Sequence, residues 1–250
     1  MVNCRSSSWN LTLNPDKCVV MRFGADVAAE GGSGYYLNGV ELELVKTHRD
    51  LGVIVDNTLK FHGHVNSVVG KAAGLANQLL RATVCREESF MVTLFVSHIR
   101  PLLDYCSTVW NLGYVGDLQK LERVQRRWTK EIHGLGEVSY GERLRRLGLY
   151  SIKGRLFRAD LVKTWKAFHS KVDVGLSQVF ERVSHPSTRG HQFKLSIPVC
   201  RSEIRRRFFS VRVVNSWNNL PPEVVSTDSL ESFKSYLDRL LSDKFYDVAD

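Results

Sequence analysis

The residues of this chain with the types and spacing to do chemistry are mostly basic. Lys120, Arg123, Arg126, Arg127 and Lys130 recur at intervals of three and four. On a helix that spacing collects five cations on one face, where they can neutralise a row of phosphates without reading sequence. Arg143, Arg145 and Arg146 form a second group, and Arg205-Arg206-Arg207 runs directly into Phe208-Phe209. A guanidinium beside an aromatic ring can hold a phosphate while the ring stacks on a base. The same residues also make an ordinary surface, with the two phenylalanines in a core and the arginines in water. The sequence leaves both readings open.

Motifs for covalent or metal chemistry are missing. There is no GxxxxGK(S/T), no GxSxG, no HExxH and no GxGxxG following a strand. Gly31-Gly32-Ser33-Gly34 reads as a flexible loop only. His62-Gly63-His64 lacks the further ligands at metal-binding spacing that a structural site needs. Asp50, Asp56 and Asp104 lie too far apart to read as a carboxylate pair. No catalytic residue and no metal ligand is assigned.

The 250 residues carry 35 Lys+Arg against 26 Asp+Glu, a formal net charge of +9. The excess is local. Residues 116–216 hold 22 basic and 9 acidic side chains, whereas residues 1–115 hold ten of each. Residues 217–250 are acidic. Such a block is a candidate face for a polyanion, and equally a set of solvated helix surfaces. A hydrophobic fraction of 43% excludes wholesale disorder. Five scattered cysteines without a CxxC pair argue against a disulfide framework and a zinc ribbon, and fit a reducing compartment. Met1 to Asn10 has no apolar signal core. The most apolar stretch, Phe90 to Leu103, is broken by His98, Arg100 and Pro101, too short and polar to span a bilayer. An intracellular protein, cytoplasmic or nuclear and without a membrane partner, is expected.

The elements that must position these residues follow from periodicity. Cys18 to Phe23 and Leu51 to Val55 read as strands, and Ala25 to Gly34 as a loop. Tyr35 to Leu37, Asn38-Gly39 and Val40 to Val45 read as a hairpin, because Asn-Gly supplies the positive φ angles of a two-residue turn. Val65 through Leu80 shows a helical apolar stripe, Ser89 to Arg100 a second, and Leu118, Leu121, Val124, Trp128 and Ile132 a third. The basic residues of 120–130 fall off that third stripe. Pro101 kinks the second helix or starts the next, and Gly134 and Gly136 close the third. Tyr140 to Leu147 is a short helix. Ser151 can cap a longer one to about His169, with Leu156, Ala159, Leu161, Val162, Trp165 and Phe168 inward. Residues 172–207 lack a period, with Pro186, Gly190 and Pro198 marking turns. Phe208 to Trp217 resumes an apolar pattern. Asp228 with Glu231 has capping-box spacing and opens a last helix, Leu230 to Leu241. The expected fold is α+β: a small antiparallel sheet at the N-terminus, then mainly helices.

Ordered segments of the chain resemble the reverse transcriptases of non-LTR (LINE- and jockey-like) retrotransposons. Asn14-Pro15-Asp16-Lys17-Cys18-Val19-Val20-Met21 is similar to the segment after the catalytic strand pair. Asp50-Leu51-Gly52-Val53-Ile54-Val55-Asp56 resembles the primer-grip segment, with Asp50 where the family has an aromatic residue. Phe61 to His64 with Lys71-Ala72 resembles the start of the thumb. Pro101 to Cys106, Val109-Trp110-Asn111, Leu121-Glu122 and Val124 to Arg127 continue that likeness. Tyr140, Glu142-Arg143-Leu144, Arg189-Gly190-His191, Lys194-Leu195, Phe208-Phe209-Ser210, Arg212-Val213-Val214, Trp217-Asn218, Leu220-Pro221 and Phe233-Lys234 resemble the region beyond the thumb.

The resemblance implies a palm remnant over residues 1–60, a thumb-like region over 61–135 and a basic post-thumb region with an acidic last helix over 136–250. It implies that Lys17 lies near the incoming nucleotide's phosphates and that Leu51 and Gly52 abut the primer terminus. The partner it implies is RNA or an RNA–DNA duplex, held non-specifically by the basic residues above. The family's aromatic-Ala-Asp-Asp motif and upstream Asp, which hold two magnesium ions for nucleotidyl transfer, are absent from this sequence. Hence no cofactor is expected in this chain, and at most template–primer backbone binding. Two rivals stand beside that expectation. One is a degenerate transposon-derived product or helical protein-interaction module. The other is an accessory chain that needs a partner supplying the metal-binding palm.

Overall fold

Asn38 and Gly39 adopt the positive φ angles that their types favour, 52° and 81°. They join β2 (Tyr36–Leu37) to β3 (Val40–Glu41) as an antiparallel hairpin. This hairpin belongs to a computed structural model that describes residues 13–24, 33–169, 179–183 and 191–248. All but the end of the expected Ala25 to Gly34 loop lies outside the described residues, as do the turn markers Pro186 and Gly190 and the Arg189-Gly190 pair. The architecture is mixed α+β, rich in helix with few, short strands.

The chain divides into two compact units, the first running to His64 and the second from Val65. The boundary expected at 135/136 therefore falls inside the second unit. In the first unit β1 (Val19–Val20) pairs with β4 (Glu43–Leu44), and β5 (Thr47–Asp50) pairs with β6 (Val53–Asp56). The β1–β4 pairing is parallel, with Val19 opposite Glu43, which corrects the expectation of one antiparallel sheet. Among the described residues the strands form three separate two-stranded pairs, with two to four residues in each strand. Leu51 is a second correction. It is not in a strand but at a two-residue turn with Gly52, φ 44° and 88°, and its side chain is 84% exposed.

Asp56 organises the exit from this unit. Its carboxylate accepts from the Thr58 hydroxyl and from the backbone N–H groups of Thr58, Lys60 and Phe61. Burial raises its pKa, but these four donors outweigh burial and hold it below the ordinary carboxylate value. Buried His64 accepts from the Ile54 N–H at Nδ1, 3.2 Å.

The second unit is helical. Its helices are α1 (His62–Ala82, which begins in the first unit), α2 (Glu88–Leu94), α3 (Arg100–Asp104), α4 (Ser107–Trp110) and α5 (Val115–Lys130). There follow α6 (Tyr140–Leu147), α7 (Ile152–His169), α8 (Glu203–Arg207), α9 (Phe209–Arg212), α10 (Val214–Asn218), α11 (Pro222–Val225), α12 (Leu230–Leu240) and α13 (Ser242–Tyr246). Between α2 and α3 the backbone widens into one π-helical stretch, Phe95–Ile99. Pro101 has no N–H to give and its ring crowds the preceding turn, so the wider pitch accommodates it without ending the helix. No helix of the described residues is long and apolar enough to cross a membrane.

Helix α7 is the hub, packed by α4, α5, α12 and α13. Ile152, Leu156, Leu161, Thr164 and Trp165 are buried, whereas Ala159, Val162 and Phe168 are only half-buried. Trp217 sits fully buried against Phe233, and its indole N–H donates to the Phe193 carbonyl at 2.8 Å. The Asn218 side chain exchanges two hydrogen bonds with the Leu195 backbone, and His191 faces the Trp217 carbonyl.

The cap of α12 differs from the expected capping box. Ser229, not Asp228, occupies the N-cap and accepts from the Ser232 N–H at 3.1 Å. Ser229→Ala should therefore cost about 1 kcal/mol in urea unfolding, and Asp228→Ala nearly nothing. Nor is α12 the last helix. The short α13 follows and buries Phe245 against Tyr150 and Phe157.

Candidate nucleic-acid interface

Helix α5 carries the five cations as its period requires. Leu118, Leu121, Val124, Gln125, Trp128 and Thr129 are buried. Arg123, Arg126, Arg127 and Lys130 are exposed, and Lys120 is half-buried. The buried face is anchored by polar bonds as well as packing. The Trp128 indole donates to the Met91 carbonyl at 3.0 Å, and Gln125 donates to the Tyr150 carbonyl at 2.9 Å. Such anchoring fixes the rotation of the helix and therefore the direction of its charges.

The five cations, with Val69 and Ala73 of α1 and Val124, line one open groove of about 560 Å³. Lys120 is held in place by the Asn66 side-chain oxygen at 2.8 Å and by Asp117 at 3.5 Å. Arg126 lies 4.9 Å from the centre of the Tyr140 ring. Among the described residues no carboxylate comes within ion-pair distance of Arg123, Arg126, Arg127 or Lys130. From Lys120 to Lys130 the helix rises ~15 Å, the axial length of about four to five phosphates of one strand.

Glu122 explains how α5 holds its neighbours. Its buried carboxylate accepts from the Tyr140 hydroxyl and from the Ile152 N–H at 2.9 Å, capping the start of α7 with negative charge. Burial pushes its pKa up, opposed by those hydrogen bonds. Burial and the Glu122 charge together push the Tyr140 phenol up. Sequence reading missed this role, since only the fold brings residues 122, 140 and 152 together.

The other candidate residues divide. Arg143 is 4% exposed and packs beside the Tyr140 ring, which corrects its assignment as a nucleic-acid contact. The charge was expected outside, but the α6 register turns it inward beside buried Leu144. Arg145 is exposed and lies over the Tyr246 ring, and Arg146 is exposed and pairs with Glu88. Arg205 and Arg206 are exposed, the latter 3.5 Å from Glu203. Arg207 is engaged by Glu203 at 3.0 Å, by the Leu112 carbonyl at 3.2 Å and by the Tyr114 ring. Phe209 is buried and Phe208 half-buried, so the Phe-Phe pair serves the core more than a base stack. In the first unit, Lys17 is exposed in a 3₁₀ turn, Pro15–Lys17, and Leu51-Gly52 forms the exposed hairpin tip.

Magnesium-dependent nucleotidyl transfer needs clustered carboxylates. Among the described residues no group of three or more His, Cys, Asp or Glu side chains is placed to hold a metal. Comparison with protein-family models, with curated proteins and with solved structures gives no match for this chain.

Proposed function

We propose that the chain is a nucleic-acid backbone clamp, derived from the thumb and post-thumb part of a non-LTR retrotransposon reverse transcriptase. It grips RNA or an RNA–DNA duplex by charge and does not itself polymerise DNA. The observation that carries this reading is the α5 face. Arg123, Arg126, Arg127 and Lys130 are exposed together along one helix, over a groove, with no carboxylate of the described residues within ion-pair distance. Cations so placed release counterions from a polyanion and read no bases. In the intact family the magnesium chemistry belongs to carboxylates that this sequence does not carry.

A fluorescence titration with a short RNA–DNA duplex at several salt concentrations tests the reading. With about five phosphates engaged, log affinity should fall against log salt with a slope near about −4. Charge reversal at Arg123, Arg126 and Arg127 should flatten that slope by about 3. A folded sample that fails to bind at low salt would remove the proposal.

One observation favours a second reading. The groove floor is apolar, built from Val69, Ala73 and Val124 beneath the cationic rim. An acidic amphipathic helix would bury its apolar face there, as a partner of a helical interaction module. Val69→Ser with Ala73→Ser keeps every charge. It should weaken such a peptide while leaving the duplex titration unchanged.

A further inference from the structure

Arg155, Arg158, Ala159 and Val162 recur at three and four along one face of α7. With Arg100 at the start of α3, Gly148 beyond α6 and Tyr150, they line a second cavity, of about 380 Å³. That volume falls within the range of small-molecule sites. Three guanidinium groups line it, and among the described residues two carboxylates, Asp104 and Asp238, form ion pairs with them. Asp104 pairs with Arg155. Asp238 takes Arg158 through two bonds, 2.6 and 2.8 Å, and also the Tyr150 hydroxyl. Arg100 is left as the surplus charge.

The balance of charge marks these groups as short of an anion: three arginines line one cavity, and two of them, Arg155 and Arg158, are ion-paired with carboxylates of the described residues. Burial, then the neighbouring Arg155 charge, pushes the Arg100 guanidinium down to about 10, with Asp104 opposing. Like charges held together out of water are costly unless an anion joins them.

We infer that this cavity binds a small phosphorylated molecule, its phosphate oxyanion held by Arg100, Arg155 and Arg158 and its remaining atoms against Ala159 and Val162. Arginine forks suit phosphate oxygens, and the apolar wall gives the site more reach than a bare ion needs. The site shares no lining residue with the α5 groove, so it stands or falls separately from the clamp.

The test is isothermal titration of the full chain with inorganic phosphate, pyrophosphate and adenosine monophosphate, each against sodium chloride of equal ionic strength. Saturable heats beyond the chloride control are expected, weakened about ten-fold or more by Arg100→Gln. Arg100 forms no ion pair of its own among the described residues, so this variant should fold. Ala159→Glu, which brings a carboxylate into the cavity, should abolish binding and serves if Arg100→Gln does not fold. Reversing Arg123, Arg126 and Arg127 should leave it unchanged. Tighter binding of the nucleotide identifies an organic phosphate as the occupant, and equal binding of inorganic phosphate identifies the free ion. Heats no larger than chloride gives, or undiminished binding in both cavity variants, would overturn the inference.

Discussion

Asp160→Ala is expected to destabilise the protein by about 3–5 kcal/mol, a large part of a typical domain's stability. Asp160 is 4% exposed, and its carboxylate receives two bonds from Arg212, at 2.8 and 2.9 Å. Arg212 in turn donates to the carbonyls of Arg207 at 3.0 Å and Thr108 at 3.3 Å. One guanidinium thereby ties α9 to α7 and to α4. Removing the carboxylate leaves a largely buried cation without its counter-charge, which costs more than the pair itself contributes. The double variant Asp160→Leu with Arg212→Met removes both charges. It should be less destabilised than Asp160→Ala alone, though not restored, because two carbonyls lose their donor. Urea unfolding of the two variants checks this. A single variant within 1 kcal/mol of the parent would show that water replaces Arg212's partner, contrary to its burial.

Gly154→Ala is the second large effect, and its sign opposes helix propensity. Alanine in a helix interior is favoured over glycine by about 1 kcal/mol. At Gly154, however, a β-carbon would lie 2.2 Å from the carbonyl oxygen of Phe245 and 2.5 Å from its Cα. Those are backbone atoms and cannot swing aside as a side chain would. The start of α7 is further pinned to the same strand of backbone. The Ser151 N–H donates to the Phe245 carbonyl at 2.9 Å, and the Ser151 hydroxyl faces the carbonyls of Phe245 and Asp247. Inserting a methyl group must push α13 off α7 or break these bonds. A net loss of about 2 kcal/mol is expected after the propensity gain, and more for Gly154→Val. Gly70→Ala and Gly74→Ala in α1 are the control. Nothing lies within 4 Å of a β-carbon at either position, so each should gain up to about 1 kcal/mol. The opposite signs, read from denaturation midpoints on one protein, separate close packing from propensity.

How much of this was legible in the sequence depends on the distance over which each feature is decided. The hairpin at Asn38-Gly39, the span of α6 and the Ser151 cap on α7 follow from neighbouring residues, and the structure has them there. The basic face of α5 was legible for the same reason. Side chains radiate from a helix at a fixed angle, so a buried stripe at Leu118, Leu121, Val124 and Trp128 forces Arg123, Arg127 and Lys130 outward. Parallel pairing of β1 with β4 was not legible, since nothing in two valines names a partner 24 residues away.

The charged residues divide along the same line. Sequence alone established the number of cations and their clustering between residues 116 and 216. The tertiary structure alone decided which of them remain uncompensated. Asp160 meets Arg212 across 52 positions, Asp104 meets Arg155 across 51, and Asp238 meets Arg158 across 80. Arg143 is drawn inside beside Tyr140, and Arg100 is left with an unpaired buried Nε. Coulomb attraction acts through space, and burial sets its strength. A chain's order therefore fixes which charges exist, and its fold fixes which of them a ligand can still use.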